Sequence, residues 1–130
     1  MLRIFDHVDL RVKSLEAAAP FYHALLPVLG FKVRVEIPGW LQFECSEERA
    51  SEFFGVIEDP AHVPNSSRIA FWAEATERVD EMSAVLRTIG ARNIEGPAWE
   101  SATYYAVYFE DPSGNRLEIC HRTQSFARTP

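Results

Sequence analysis

Apolar and polar residues alternate along much of this chain, in runs whose period changes from strand-like to helix-like. Residues 7–12, with the sequence HVDLRV, place an apolar side chain at every second position, which predicts a strand. Residues 14–30 follow with apolar side chains at helical spacing. Ser14 is the predicted N-cap of this helix, and Gly30 is its predicted end.

The same order of patterns returns in the second half of the chain. Residues 68–74, with the sequence RIAFWAE, alternate as the first strand does, and residues 76–91 again carry an apolar stripe at helical spacing. Thr76 is the predicted N-cap of this second helix, and Gly90 is its predicted end. The repetition of strand, helix and glycine in one order indicates an internal duplication.

Each predicted helix precedes three strand-like runs, at residues 31–37, 40–46 and 52–58 and again at residues 91–96, 103–110 and 115–121. The chain is therefore predicted to be an α+β protein with two tandem βαβββ modules. Module one is expected over residues 1–60 and module two over residues 68–122, with a polar linker over residues 59–67. The tail, residues 123–130, is predicted to fray.

Composition and charge argue against two classes of partner. The formal net charge of −6 disfavours binding to a phosphate backbone, so we expect no nucleic-acid partner. No apolar run approaches the roughly 18 residues that a membrane helix needs, and the N-terminus lacks the apolar core of a signal peptide. Cys45 and Cys120 fit no zinc or redox spacing and are expected to be buried free thiols. These features together predict a cytoplasmic protein.

One carboxylate lies inside a predicted strand and needs an explanation. Glu118 stands between Leu117 and Ile119, which by alternation face the opposite side of the strand. A carboxylate that leaves water without a partner is costly, so a positive group is expected near Glu118. Alternation groups the polar side chains of three strands on corresponding faces, and these include His7, Asp9, Arg11, Arg68, Trp72 and Arg116.

Two segments resemble a known family. Residues 5–31, FDHVDLRV to LGF, and residues 104–121, YYAVYFEDPSGNRLEICH, are similar to the glyoxalase/bleomycin-resistance/extradiol-dioxygenase superfamily, the vicinal oxygen chelate proteins. The resemblance spans nearly the whole chain and is weakest over residues 38–67. It implies a single glyoxalase-like domain over residues 1–130, in which the two modules form a U-shaped mixed sheet around a cleft. It also implies a homodimer.

The resemblance assigns a divalent metal to this cleft, where it would bind two vicinal oxygens of a substrate. His7 and Glu118 match two of the four ligand positions, and Glu118 would also be the catalytic residue. Arg68 occupies the third position, where a metal-binding relative would have histidine. Because arginine stays protonated and has no free lone pair, it cannot bind a cation. Arg68 is instead predicted to reach Glu118 as a salt bridge and to replace the charge of the metal.

The fourth ligand position, on the last strand of module one, stays open. Glu52 and Glu58 lie near it in the sequence, but an apolar residue or Gly55 can equally occupy it. With Arg68 at one ligand position and no residue assigned to another, the resemblance supplies only His7 and Glu118 as ligands for a divalent metal.

Substrate binding is assigned to residues of the same faces. We expect a small-molecule ligand to contact Arg11, Arg68, Trp72, Tyr104 and Tyr108. Aromatic residues at alternating strand positions are also typical of a core, which is the alternative reading for the three aromatic residues.

Two functions remain open. The first is a metal-dependent lyase of the glyoxalase type or a dioxygenase, with a degraded metal site and with Arg68 holding an anionic substrate. The second is a metal-free protein that binds a small molecule, similar to the drug- and antibiotic-sequestering members of the family. A third reading is a vestigial cleft in a chain that only dimerises.

Overall fold

The computed structural model describes residues 3–123. The chain divides into two compact units between Val63 and Pro64, inside the stretch predicted to be a linker. Residues 124–130, which make up nearly all of the tail predicted to fray, lie outside the described residues. Within residues 3–123, neither helix has the length and apolar character needed to span a membrane.

Unit one contains strands β1 (His7–Val12), β2 (Val33–Ile37), β3 (Trp40–Glu44) and β4 (Phe53–Glu58) and helix α1 (Leu15–Leu29). The strand order is β1-β4-β3-β2, in which β1 is parallel to β4 and the other pairs are antiparallel. The buried residues of helix α1 are apolar or aromatic and form one stripe along it, and the helix packs with this stripe against one face of the sheet. The core of the unit is built from Phe21, Tyr22, Leu25, Leu26, Phe43, Phe54 and Val56.

The ends of α1 follow the sequence prediction. The hydroxyl of Ser14 accepts a hydrogen bond from the backbone N–H of Ala17 at 3.2 Å, so Ser14 is the N-cap. Gly30 ends the helix with a φ of 119°, a conformation that residues with a side chain rarely adopt. The carboxylate of Glu58 also accepts a hydrogen bond from Leu15 N at 3.0 Å. An acidic group at this end stabilises the helix dipole.

Unit two contains strands β5 (Arg68–Trp72), β6 (Arg92–Trp99), β7 (Tyr104–Glu110) and β8 (Arg116–Arg122) and helix α2 (Thr76–Leu86). Its strand order is β5-β8-β7-β6, which repeats the order of unit one. The first strand is again parallel to the last. The prediction of an α+β chain with two tandem βαβββ modules is thereby confirmed, whereas a cleft shared by both modules stays a prediction.

The second helix differs from its prediction at both ends. Its N-cap is Ala75 rather than Thr76, and no side chain caps it. The hydroxyl of Thr76 donates instead to the carboxylate of Glu77 at 2.9 Å. The helix ends at Leu86, before Gly90, and the hydroxyl of Thr88 donates to the carbonyl of Val85 just beyond this end. Hydroxyl side chains compete in this way with regular helix geometry.

The two cysteines are free thiols, as predicted. Cys120 is buried, whereas Cys45 is only half-buried. Burial and a hydrogen bond with Glu52 raise the pKa of Cys45 to about 11, so its thiol stays protonated at neutral pH.

A buried aspartate closes the hairpin between β7 and β8. Asp111 is 0% exposed, and its carboxylate accepts hydrogen bonds from Ser113 N at 2.8 Å and Asn115 N at 2.9 Å. The side-chain amide of Asn115 donates a further bond to the same carboxylate at 2.9 Å. The turn sets the register of the hairpin, in which Tyr108 is the partner of Glu118.

We expect Asp111→Ala to lower the free energy of unfolding by about 2 kcal/mol or more, because buried N–H donors lose their acceptor. Chemical denaturation monitored by circular dichroism measures this loss. The matched control is Asp59→Ala, which removes an acceptor for Ala61 N in a more exposed turn and should cost less than about 1 kcal/mol. Equal losses in the two variants would contradict the role assigned to the buried turn.

Candidate functional site

The candidate site is the face of the unit-two sheet that turns away from α2. Leu117 and Ile119 are fully buried and lie on the helix side of β8. Glu118 between them therefore lies on the opposite face. Because β8 runs between β5 and β7, Glu118 is flanked in register by Ala70 on one side and Tyr108 on the other.

Glu118 is covered by aromatic and basic side chains of the same face. Glu118 is only 5% exposed. The hydroxyl of Tyr104 donates a hydrogen bond to its carboxylate. The guanidinium of Arg68 lies over the ring of Tyr108, 4.7 Å from its centroid. The guanidinium of Arg122 lies over the ring of Tyr104 at 4.2 Å. Two arginine–tyrosine stacks thus accompany one buried carboxylate.

Burial is the main influence on the ionisation of this carboxylate. It raises the pKa of Glu118 above the usual value, and the charge of Glu100 adds to the rise. The positive charge of Arg68 is the largest opposing influence on this pKa, and Arg122 acts in the same direction. A carboxylate with a raised pKa can exchange a proton closer to neutral pH than an exposed one can.

The predicted salt bridge between Arg68 and Glu118 is wrong as a direct contact. Among residues 3–123, no ion pair within 4.0 Å joins these two side chains. Arg68 stacks on Tyr108 instead, and the carboxylate of Glu118 accepts its hydrogen bond from the hydroxyl of Tyr104. Arg68 still lowers the pKa of Glu118 through its charge, so the pairing is electrostatic at longer range.

Four of the residues predicted to bind substrate lie on strands of this sheet: Arg68, Trp72, Tyr104 and Tyr108. Trp72 is 62% exposed, with its ring 5.3 Å from that of His121. A pocket of about 240 Å³ lies beside the stack of Arg68 on Tyr108. Both residues line it, together with Asn93, Glu95 and Arg116 among others. Tyr104 and Tyr108 are half-buried, so none of the three aromatic residues belongs to the buried core. Their assignment to a substrate stays a prediction.

Sequence reasoning did not select Arg122 or Glu100. Arg122 continues the alternation of Arg116, Glu118 and Cys120 by one more step, so the period of two was the signal that could have found it. Glu100 follows β6 in an irregular stretch, where alternation carries no information.

His7 and Arg11, the remaining predicted site residues, lie on β1 in unit one. The Nδ1 of His7 is 2.8 Å from a carboxylate oxygen of Asp6, and its Nε2 is 3.5 Å from one of Asp9. The imidazole also stacks on Phe53, with ring centroids 4.3 Å apart. The hydrogen bond to Asp6 is the main reason that the pKa of His7 is raised. The carboxylates of Asp6 and Asp9 thus lie near both ring nitrogens of His7.

Strand register identifies the fourth ligand position, which the sequence left open. On β1, Asp9 is paired with Gly55, just as Ala70 on β5 is paired with Glu118. Gly55 is therefore the module-one counterpart of Glu118. A Cβ at this position would lie 2.8 Å from Asp9 Oδ1, so the neighbouring carboxylate occupies the space of a side chain.

The two glutamates considered for that position have other contacts. Glu58 accepts the hydrogen bond from Leu15 N at the start of α1, and Glu52 interacts with Cys45. Neither residue is the register partner of Asp9. The last strand of module one thus offers no side-chain donor at the position that the resemblance assigns.

The donor set as a whole does not fit a divalent metal. In the described part of the chain, no group of three or more His, Cys, Asp or Glu side chains could hold a metal ion. The four corresponding positions hold His7 between two carboxylates, Gly55, Arg68 and Glu118. A glycine and an arginine supply no ligand, and structural or catalytic metal sites need three or more. His7 and Glu118 as metal ligands stay a prediction that these neighbours do not support.

Comparison with known proteins identifies similar chains. The family model of the Glyoxalase/Bleomycin resistance protein/Dioxygenase superfamily matches residues 4–119. A glyoxalase/bleomycin resistance protein from Albidiferax ferrireducens T118 is 30% identical, with a TM-score of 0.75 over 91% of this chain and 98% of that one. No curated protein sequence matches this chain.

Two more distant structures share the fold. A genomically encoded fosfomycin resistance protein from Listeria monocytogenes is 18% identical, with a TM-score of 0.70 over 97% of each chain. A glyoxalase/bleomycin resistance protein/dioxygenase from Nocardioides is 19% identical, with a TM-score of 0.68 over 100% of this chain and 91% of that one. At these identities the likeness establishes the fold alone.

We expect Arg68→Gln to raise the pKa of Glu118 further, because it removes the largest positive influence on that carboxylate. An NMR titration of the Glu118 side-chain carboxyl carbon measures the change. Arg92→Gln removes the same charge from a guanidinium that donates to the carbonyl of Pro112, and it should leave this pKa unchanged. An unaltered Glu118 pKa in Arg68→Gln would show that Arg68 does not act on the site.

We expect Glu118→Gln to gain stability relative to the wild type as pH rises from acid to neutral. The folded-state pKa of Glu118 is raised above its unfolded value, so the folded chain binds this proton more tightly. The stability that this group contributes is therefore present at acid pH and is lost as pH rises through the folded pKa. Glutamine cannot ionise and avoids that loss.

Urea denaturation of both proteins over a series of pH values measures this difference. The matched control is Glu74→Gln at an exposed position, whose stability relative to the wild type should not follow the same trend. A Glu118→Gln variant that loses stability relative to the wild type towards neutral pH would show that the ionised carboxylate is favoured in the fold.

Proposed function

Because this chain belongs to the Glyoxalase/Bleomycin resistance protein/Dioxygenase superfamily, we propose that it binds a flat organic anion and does so without a resident metal ion. The observation that carries the proposal is the pair of arginine–tyrosine stacks, Arg68 on Tyr108 and Arg122 on Tyr104, beside the buried Glu118. The metal-free alternative of the sequence analysis is thus preferred to the metal-dependent lyase or dioxygenase.

The stacks supply both charge and shape for such a ligand. A guanidinium is planar and donates parallel hydrogen bonds to a carboxylate, and stacking on a tyrosine ring limits its rotation before a ligand binds. Arg68 and Arg122 are both exposed, so their donors can be reached from solvent. Trp72 adds an exposed flat ring on β5, and Arg116 adds a third positive charge at the start of β8.

Glu118 has a supporting role in this proposal. Its carboxylate accepts the hydrogen bond of Tyr104 and thereby holds the ring on which Arg122 lies. Its charge also attracts Arg68 from a distance that leaves the guanidinium free to meet a ligand. The raised pKa would suit a proton acceptor or donor, and the catalytic role given to Glu118 stays a prediction.

The charge of the two arginines replaces that of the metal in the metal-dependent reading. In that reading His7 and Glu118 bind a divalent ion, which polarises the substrate. Arg68 at a ligand position and Gly55 at another argue for recognition of the ligand by guanidinium groups instead. A small-molecule ligand agrees with the fosfomycin resistance protein among the proteins of this fold, and the homodimer remains a part of the proposal.

We expect naphthalene-2-carboxylate to raise the melting temperature, because a ligand that binds only the folded state stabilises it. The cation 2-naphthylmethylammonium, with the same ring system, should give no rise. Arg68→Gln should weaken binding of the anion by about tenfold, as expected for the loss of a hydrogen bond to a charged group. Differential scanning fluorimetry over a ligand series measures both effects, and Arg92→Gln is the matched control.

Metal dependence separates the two functions, and elemental analysis of the titrated protein counts the bound ions. Binding of the anion should be unaffected by EDTA, and Ni²⁺, Zn²⁺, Mn²⁺ and Fe²⁺ should not bind at one ion per chain. Stoichiometric binding of one of these metals that disappears in both His7→Ala and Glu118→Gln would favour the metal-dependent enzyme. Equal binding of the anion by the wild type and Arg68→Gln would contradict the ligand site.

A further inference from the structure

A second pocket lies in unit one, between α1 and the hairpin of β2 and β3. It has a volume of about 440 Å³ and is lined in part by Leu15, Ala19, His23, Ile37, Pro38 and Trp40. Most of these side chains are apolar, which suits a ligand with a hydrocarbon or aromatic body. All of its lining residues belong to unit one, and the pocket takes no part in the function proposed above.

Two buried polar atoms at this pocket have no hydrogen-bond partner among the residues that the structure describes. They are Nε1 of Trp40 and Nε2 of His23. Nε2 of His23 lies 3.8 Å from a carboxylate oxygen of Glu36, which is too long for a hydrogen bond. A buried indole N–H without an acceptor costs free energy, so such groups usually have a partner. Both side chains line the pocket, where a ligand atom could provide one.

The charges around the pocket restrict the ligand further. Glu16 and Glu36 line it, and Arg34 pairs with Glu36 at 3.1 Å. Burial and the charge of Arg34 lower the pKa of His23, so its imidazole is neutral at pH 7. The pocket thus combines carboxylates with an uncharged donor from Trp40. The two carboxylates would repel an anion, whereas an uncharged carbonyl oxygen could accept a hydrogen bond from the indole N–H.

We propose that this pocket binds an uncharged, flat and mainly apolar molecule through a carbonyl-type oxygen that accepts a hydrogen bond from Trp40 Nε1. The ring of Trp40 and the side chains of Ile37 and Leu15 contact the apolar body of the ligand. The nitrogen Nε2 of neutral His23 can either accept from an amide N–H or donate to a second oxygen, depending on its tautomer.

Three probes of nearly the same shape test this proposal: benzamide, benzamidinium and benzoate. They are titrated into the ¹⁵N-labelled chain of 130 residues while the indole N–H signals of its three tryptophans are followed by NMR. Trp40→Phe assigns the Trp40 signal by its loss. We expect benzamide to move that signal saturably and to lower field, as for a new hydrogen bond, and benzoate to leave it in place.

The variants separate the hydrogen bond from the apolar contact. Trp40→Phe keeps an aromatic ring and removes the donor, so it should weaken benzamide by about fivefold, the effect of one neutral hydrogen bond. It should change benzamidinium binding much less, because that probe has no carbonyl oxygen. Binding to this variant is followed through backbone amide signals of α1 residues.

Ala19→Leu places a larger side chain at the pocket wall and should weaken every probe that binds there. This helix-surface change serves if Trp40→Phe fails to fold. The matched control is Trp99→Phe, at an exposed tryptophan of unit two, which should bind benzamide as the wild type does.

Several results would overturn the proposal. Benzoate that moves the Trp40 signal as strongly as benzamide would show that the carboxylates do not select against anions. A benzamide affinity that is equal in Trp40→Phe and the wild type would show that the indole N–H is not used. Benzamide binding that weakens as protein concentration rises, with a dimer in sedimentation velocity, would show that a second copy covers the pocket instead.

Discussion

The parallel pairing of the first and last strand in each unit is the constraint on which the site depends. It places β8 between β5 and β7, so that a residue in the middle of β8 has neighbours on both sides. Glu118 occupies this position and is covered from both strands. A strand at the edge of the sheet would leave the same carboxylate in water, with no need for a phenol or a guanidinium beside it.

Burial of Glu118 then determines how the surrounding side chains are used. A buried carboxylate requires donors and positive charge, and the face provides them at two distances. The hydroxyl of Tyr104 makes the short contact, while Arg68 acts at longer range. Because Arg68 is held over Tyr108 rather than at the carboxylate, its guanidinium remains usable for a ligand. One buried charge thereby organises an exposed cationic and aromatic surface.

The two units show how the same topology can hold different chemistry. The pair of positions that carries Ala70 and Glu118 in unit two carries Asp9 and Gly55 in unit one. In unit one the carboxylate belongs to Asp9 on the first strand rather than to the last strand. It lies near Nε2 of His7, while Nδ1 of the same imidazole lies near Asp6. Gly55 leaves room for Asp9, since a Cβ there would lie 2.8 Å from its oxygen. The duplication thus preserves strand pairing without preserving a set of ligands.

The amino-acid sequence by itself determined the fold class, the number of modules and the side of β8 on which Glu118 lies. These properties depend on hydrophobic period, on capping by Ser14 and on the turn residues after Asp111, all of which are local. Tertiary structure alone decided that Tyr104, not Arg68, contacts the carboxylate, that Gly55 is the counterpart of Glu118, and that α2 starts without a side-chain cap. The reason is physical: alternation specifies the face of a residue, whereas contact partners depend on strand register, side-chain length and stacking, which arise only when distant segments pack together.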